Sequence, residues 1–459
     1  MGVISTIKTL NNSDIQTAFK VSDTTTTEMQ TRLDMCRQAY YRAIKSVDKN
    51  AALNLPFTIV NKLTKTMFSE CTITANDDFY KDFIKQVNKK KTEIMSKLLY
   101  GGSVILKPYV TPSDKLGFVV VARENYIPVG RDFDGNLIEV ILSEVTEKGA
   151  CYYTLLEKRK ITNNGCLIEY KLFESEIKGV LGKQINLSYL YSDMPESFML
   201  DTDSLGLIEI KTPLLNDIDT SRDGIPVFEP ALEIIDLCNE NEAQLKDEFK
   251  LGQSRIIVSD DMFRKNSLGE PVVTDKVFVS LDLDPAEQSG SGITIFNPEL
   301  REQSYIARKN EYLRAIESVI GLQRGLLSDV NQQEKTAKEI GSSEASYNLT
   351  IVDFQNCFKT GIEELAGVWA DFGKIYKIKG AKDYEDELIS FDFGDGVLYN
   401  RDKVFSELLG LCAAGLIKGE VVVAWYYDID LSTPEGEEAV KKYMPELDEM
   451  LKDAVDDED

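Results

Sequence analysis

Residues 336–376 read TAKEIGSSEASYNLTIVDFQNCFKTGIEELAGVWADFGKIY. Tyr347, Ile351, Phe354, Phe358, Ile362, Leu365, Trp369 and Phe372 follow one another at intervals of 4, 3, 4, 4, 3, 4 and 3. That rhythm averages close to the α-helical period, so one apolar stripe runs the whole way. At ~1.5 Å per residue the helix would be ~60 Å long, whereas an ordinary globular helix has about 11–12 residues.

Working outward, a polar stretch at 323–335 (QRGLLSDVNQQEK) interrupts the helical pattern. Before it, a helix over about 303–322 carries Tyr305, Tyr312, Ile316, Val319 and Ile320 on one face. A β-rich insert at 251–302 comes next, with strand candidates Ser254–Val258, Pro271–Thr274, Val277–Leu281 and Gly292–Phe296 and a loop at Asp284–Gly292. Pro226 and Pro230 announce a helix over Ala231–Lys250, whose apolar residues are Leu232, Ile235, Cys238, Leu245 and Phe249.

The N-terminal half reads as helices followed by an antiparallel sheet. Residues 1–27 are polar and Thr-rich and read as a flexible segment. Helices are expected over 28–45, 55–68 and 79–100, the last ended by Gly101-Gly102. Short runs rich in Val, Ile and Tyr follow at Ser103–Val110, Gly117–Ala122, Ile138–Val145, Cys151–Lys158 and Cys166–Phe173. After residue 376 come a strand at Leu388–Phe393, helices at about 403–414 and 418–426, and an amphipathic tail ending in the acids Asp456–Asp459. The fold class is α+β, with long helices and small antiparallel sheets.

Composition narrows function by exclusion. The 459 residues are enough for two to four domains and a sizeable core. There is no histidine, so histidine-based triads and HExxH zinc sites are impossible. The seven cysteines are scattered without a CxxC pair and read as small buried hydrophobes rather than a disulfide or zinc framework. No apolar run reaches ~18 residues and no signal-peptide block opens the chain, which points to an intracellular protein without a membrane span. The net charge of −25 disfavours a conventional DNA-gripping surface and suits either solubility or a surface that DNA slides past.

Motifs for catalysis and cofactors are missing. There is no GxxxxGK[ST] phosphate loop, no GxSxG elbow and no GxGxxG fingerprint; Gly290-Ser291-Gly292 lacks the third glycine. Asp428-Ile429-Asp430 starts like a calcium loop but has Thr433 and Ala439 at the glycine and glutamate positions, and Asp201-Thr202-Asp203 fails likewise. No cofactor and no metal site is expected. The acid groups Asp392/Asp395 and Asp217/Asp219/Asp223 read as solvated turns, with a carboxylate-metal nuclease as the alternative.

The order of elements, together with several short stretches, resembles the portal proteins of siphophages infecting Gram-positive bacteria, over about residues 28–445. The stretches include Gly101-Gly102-Ser103-Val104-Ile105-Leu106-Lys107-Pro108, Tyr126-Ile127-Pro128-Val129, Asp223-Gly224-Ile225-Pro226-Val227-Phe228, Thr336-Ala337-Lys338-Glu339-Ile340, and Ala413-Ala414-Gly415-Leu416-Ile417 followed by Trp425-Tyr426. The resemblance implies a portal fold with a wing at 28–228, a first stem helix at 229–250 and a clip at 251–302. A second stem helix at 303–322, a tunnel loop at 323–335, a long wing helix at 336–376, and the end of the wing with the crown at 377–459 complete it.

It further implies a ring of roughly twelve subunits at one capsid vertex, a structural protein of the virion assembled in the host cytoplasm. The ring would be the channel through which double-stranded DNA is packaged and ejected. Its partners would be the large terminase, the head–tail adaptor, and the major capsid and scaffolding proteins. Arg324, Ser328, Asp329, Asn331, Gln332, Gln333 and Lys335 of the tunnel loop are expected to face DNA, where amides and hydroxyls touch phosphates without strong retention. Arg255, Lys265 and Lys276 of the clip are expected to serve docking and ring pairing, with strands in 254–296 pairing between subunits. A portal-like adaptor of another phage-derived particle is the remaining alternative.

Overall fold

The computed structural model describes residues 12–41, 53–111, 113–192, 194–259, 267–268, 278–281, 293–329, 337–385, 388–394, 401–427, 429 and 434–443. Chain contacts divide it into two compact units, residues 1–393 and 394–459.

The first unit opens with α1 (Asn12–Phe19), α2 (Thr27–Tyr40), α3 (Leu55–Met67), strand β1 (Thr72–Ala75) and α4 (Asp78–Gly101). Each boundary has a local cause. The Thr26 side chain accepts the Met29 N–H at 3.2 Å and caps α2. Pro56 occupies the first turn of α3, where a missing N–H is harmless. Asp77 caps α4 by accepting the Phe79 N–H at 2.9 Å. α4 stops at Gly102, whose φ is +79°. A Cβ there would lie 2.2 Å from the Gly224 carbonyl oxygen, so only glycine fits.

Nine strands follow: β2 (Ser103–Val110), β3 (Leu116–Ala122), β4 (Tyr126–Arg131), β5 (Leu137–Lys148), β6 (Cys151–Thr162), β7 (Gly165–Ser175), β8 (Lys183–Ile185), β9 (Ser197–Leu200) and β10 (Ile208–Lys211). They build two antiparallel sheets, β10-β2-β3 and β4-β5-β6-β7-β8, with β9 also paired to β7. In the larger sheet Leu142 sits opposite Glu157, and Glu157 opposite Tyr170.

Polar groups as well as apolar ones join these layers. Lys90 and Lys97 of α4 donate to the Phe118 and Val120 carbonyls of β3, so their stems lie over the sheet edge. Arg131 bridges Glu209 and Asp223, each at 2.6 Å. Glu157 lies buried between Lys107 (2.8 Å) and Arg159 (2.5 Å). Burial alone pushes its carboxyl upward, but the two cations outweigh that and hold it down at about 2.

The expectation of a flexible segment at 1–27 is corrected for residues 12–27. Ile15 of α1 is 3% exposed and packs with Ile127, Ile141, Leu156, Phe173 and Leu181. The Thr24 N–H and hydroxyl both donate to the Pro128 carbonyl, at 2.9 and 3.1 Å. A few apolar side chains in a polar stretch suffice once a sheet face is there to receive them. Residues 1–11 lie outside the described residues.

A short 3-10 turn at Glu229–Ala231 leads into α5 (Leu232–Leu251). Strands β11 (Arg255–Ser259), β12 (Phe278–Leu281) and β13 (Ile293–Phe296) form a small sheet in the order β12-β11-β13. The β11–β12 pair is parallel, so this sheet is mixed. The strand expected at Pro271–Thr274 and the loop expected at 284–292 fall outside the described residues. Next come α6 (Glu302–Ile320) and α7 (Ala337–Ile375), a helix of 39 residues and thus ~58 Å. Its sequence stripe from Ile351 to Phe372 is buried, and Trp369 packs 5.0 Å from the Phe83 ring. Strand β14 (Ile389–Asp392) returns to pair with β1, with Thr72 opposite Asp392.

The second unit holds α8 (Arg401–Ala413), α9 (Gly419–Tyr427) and α10 (Pro434–Lys441). Aromatic rings tie it together: Phe405 lies 5.1 Å from Tyr426, and Tyr427 stacks on Tyr443 at 4.3 Å. Among the described residues of the chain, no helix is long and apolar enough to cross a membrane.

Candidate functional site

α5 and α6 lie antiparallel, and three polar ties show it. Arg301 grips the Glu248 carboxylate with two guanidinium nitrogens, at 3.0 and 2.7 Å. Lys309 pairs with Glu242 at 3.2 Å, and the Asn241 amide donates to the Tyr305 carbonyl at 3.0 Å. The base of the pair is dry: Leu232, Ile235, Cys238, Leu313, Ile316 and Ile320 are buried. Asn239 accepts the Leu53 N–H at 3.1 Å, fixing α5 to the chain ahead of α3. At the far end Phe249 is 46% exposed and Leu251 69%, and Leu300 and Ile306 are exposed as well. Exposed apolar side chains thus gather at one end of a helix pair whose other end is dry.

The chain after α6 is folded back by one side chain. Glu317 is 1% exposed and its carboxylate accepts the N–H groups of Gly325 (3.2 Å), Leu327 and Ser328 (2.9 Å), plus the Ser328 hydroxyl (2.7 Å). A buried charge is tolerable when this many donors surround it. Gly321 makes the turn at φ +76°, and Thr350 of α7 donates to its carbonyl at 3.3 Å. Lys62 of α3 donates to the Leu326 carbonyl. Asn310 accepts the Asp329 N–H at 2.7 Å and donates to the Asp329 carbonyl at 3.2 Å. The stretch 321–329 is thus held by α3, α6 and α7 together.

This arrangement sorts the residues singled out in the loop. Arg324 and Asp329 are exposed. Ser328 corrects the expectation of a DNA-facing hydroxyl: it is 6% exposed, and its hydroxyl is spent on Glu317. Asn331, Gln332, Gln333 and Lys335 lie outside the described residues. On the small sheet, Arg255 is exposed at the start of β11, opposite Phe296. Lys265 and Lys276 lie outside the described residues.

Sequence reading passed over Glu317, although a signal was present. It sits on the apolar stripe of α6, four residues after Leu313 and three before Ile320. An acid at such a position demands a partner, since acids are almost never buried alone.

Two of the acids considered for metal chemistry, Asp219 and Asp223, have structural partners. Asp223 pairs with Arg131. Asp219 accepts from Asn216 at 2.8 Å and from the Thr26 hydroxyl at 2.5 Å. Asp392 is an exposed residue of β14, and Asp395 lies outside the described residues. Among the described residues, no group of three or more acids and cysteines is placed to hold a metal ion. The described cysteines are all free thiols, and Cys36, Cys71, Cys166 and Cys238 are buried.

The sequence pattern of one protein family, described as "Phage portal protein, SPP1 Gp6-like", matches residues 26–454. No curated protein matches the chain. Among solved structures, a chain of the "Neck of native GTA particle computed with C12 symmetry" is similar at 12% identity and a TM-score of 0.38, over 86% of this chain and 92% of that one.

Proposed function

The chain belongs to the SPP1 Gp6-like family of phage portal proteins, and on that premise we propose that it closes into a ring at one capsid vertex and forms the channel for DNA packaging and ejection. The family is structural, so the protein is not the carboxylate-metal nuclease weighed as an alternative. Family membership puts it in the virion.

The observation that carries the proposal is the family match over residues 26–454, together with the succession α5, small sheet, α6, anchored loop and α7. In this reading α5 and α6 are the stem, residues 251–302 the clip, 323–335 the tunnel loop and α7 the long wing helix. Residues 28–228 make the wing, and 377–459 finish the wing and form the crown. The exposed apolar residues Phe249, Leu251, Leu300 and Ile306 support packing between neighbouring stems. Such a head-to-tail contact uses two different faces and closes when its rotation divides a full circle. The clip's edge strands β12 and β13 suit pairing with a neighbouring subunit.

The electrostatics support passage rather than grip. DNA carries about one negative charge per ~1.7 Å, and a ring of subunits each at −25 gives it little to hold. Contact with the phosphate backbone falls to the loop, where Arg324 is an exposed base. The large terminase, the head–tail adaptor, and the capsid and scaffolding proteins are the proposed protein partners, with Arg255 at the docking end.

Electron microscopy of the purified protein, with native mass measurement, tests the reading. Rings of roughly twelve subunits are expected. A monomer at every concentration would overturn it.

A further inference from the structure

α5 and α6 carry opposite charges on different faces. From Leu232 to Leu245 α5 has four acids, Glu233, Asp236, Glu240 and Glu242, and no base. At ~100° per residue, Glu233, Asp236, Glu240 and Asp247 share one face. That face is turned away from Asn241, Glu242 and Glu248, the residues that hold α6. Glu240 is exposed and forms no ion pair with another described residue. Asp247 is exposed too, in a surface pair with Lys250 of its own helix, and such pairs are worth little. Asp236 feels the crowding: partial burial, with Glu233 and Glu240 beside it, pushes its carboxyl above the ordinary value.

α6 offers the complement. Arg301 and Arg308 are exposed and seven residues apart, on a flank about a quarter-turn from Lys309. Arg308 forms no ion pair with another described residue. Its Nε donates to the Tyr312 hydroxyl at 2.8 Å and its guanidinium lies 5.3 Å from that ring, which holds the charge in place. The Arg301 side chain stays 69% exposed while it grips Glu248.

Height along the hairpin decides which charges can meet. Asn241 is tied to Tyr305 and Glu242 to Lys309, so Glu240 stands level with residues 306–311, the span that holds Arg308. Asp247 stands next to Glu248, the partner of Arg301. Two acids and two bases thus repeat at the same seven-residue step, ~10.5 Å at ~1.5 Å per residue. A rotation about an axis along the hairpin raises or lowers no residue, so on the next copy each charge finds its counterpart at its own level. An unrelated partner would use one of these faces. A second copy of this chain uses both, as a head-to-tail contact requires.

We propose that the acidic face of α5 in one subunit packs against the arginine flank of α6 in the next, pairing Glu240 with Arg308 and Asp247 with Arg301. This rests on the ring reading and names the contact that closes the ring.

Glu240 and Arg308 are the residues to change, because neither carries an ion pair within the described chain. The test uses the full chain and native mass measurement. If the unaltered protein makes no rings, the ring reading and this pairing fall together. Where it does, Glu240→Arg and Arg308→Glu are each expected to raise the concentration for half-assembly by about tenfold or more, with circular dichroism unchanged, because like charges now face each other. Both changes in one chain restore the rings. So does a one-to-one mixture of the two single variants, as rings in which the two chains alternate; a size tag on one of them reads the equal numbers. Single variants that assemble at the original concentration overturn the pairing and leave the ring standing. Restoration by neither the double variant nor the mixture overturns it as well.

Discussion

The Ser328 hydroxyl donates to the buried Glu317 carboxylate at 2.7 Å, eleven residues back along the chain. That bond, with the amides of residues 325, 327 and 328 on the same carboxylate, makes the first part of the loop an extension of α6 rather than a free tether. Glu317→Ala therefore strips an acceptor from several buried donors at once, at about 3 kcal/mol. Native-state hydrogen exchange at Gly325, Leu327 and Ser328 should accelerate about 100-fold, with the amides of α4 unchanged. Unaltered exchange at 325–328 would show that α3 and α7 hold the loop without it.

Glu157 gives a pH dependence with a definite sign. Its folded-state carboxyl titrates at about 2, below the ordinary value of 4.5. A depressed carboxyl stabilises the fold above the unfolded value and loses that contribution as pH falls towards the folded one. Chemical denaturation should thus show stability dropping between about pH 4.5 and about 2. Glu157→Gln should flatten the profile in that window while lowering stability at neutral pH by about 3–5 kcal/mol, because Arg159 is left buried without its charge partner.

Gly102 and Gly224 touch back to back. A Cβ on the first would lie 2.2 Å from the second's oxygen, and a Cβ on the second 2.1 Å from the first's. Gly102→Ala meets both this clash and a φ of +79°, so a loss of about 3 kcal/mol or more is expected, read as a lower denaturant midpoint. Gly149→Ala is the control: its φ of +70° carries strain, but nothing lies within 4 Å of the added carbon. It should cost only about 1 kcal/mol.

Phe249 and Ile306 lie exposed at the wet end of the α5–α6 pair. If this face packs on a neighbour, Phe249→Ser with Ile306→Ser removes about 1.5–3 kcal/mol per buried side chain from every interface of the ring. Native mass spectra should shift from rings towards monomer, with the circular dichroism of the monomer unchanged. Persistence of intact rings would place the contact elsewhere.

Arg324→Glu tests the loop's proposed contact with DNA. Rings of unchanged subunit number are expected, along with a severalfold fall in DNA packaged per particle. Normal packaging would assign the contact to other residues.

Legibility in the sequence followed periodicity. The stripe on α7 and the runs that became β2, β5, β6 and β7 are long enough for a repeat of 3.6 or 2 to stand out. β1 and β14 have four residues each, and no local rhythm reveals that Thr72 meets Asp392. β4 was hidden by its brevity and by Pro128 and Gly130 in its middle. α1 looked loose because its order comes from the sheet that receives Ile15. Ser328 was misjudged for a related reason. A polar residue in a polar stretch reads as outward-facing unless the buried acid it serves is noticed first.

The β1–β14 pair sets a clock on synthesis. Roughly 300 residues separate the two strands, and at ~5–20 residues per second a ribosome needs roughly 15–60 s to make them. Until β14 emerges, the edge of β1 has no mate and can pair with whatever strand is near. Subunits still on the ribosome therefore carry β1 with both edges open, and the arrival of β14 closes one of them.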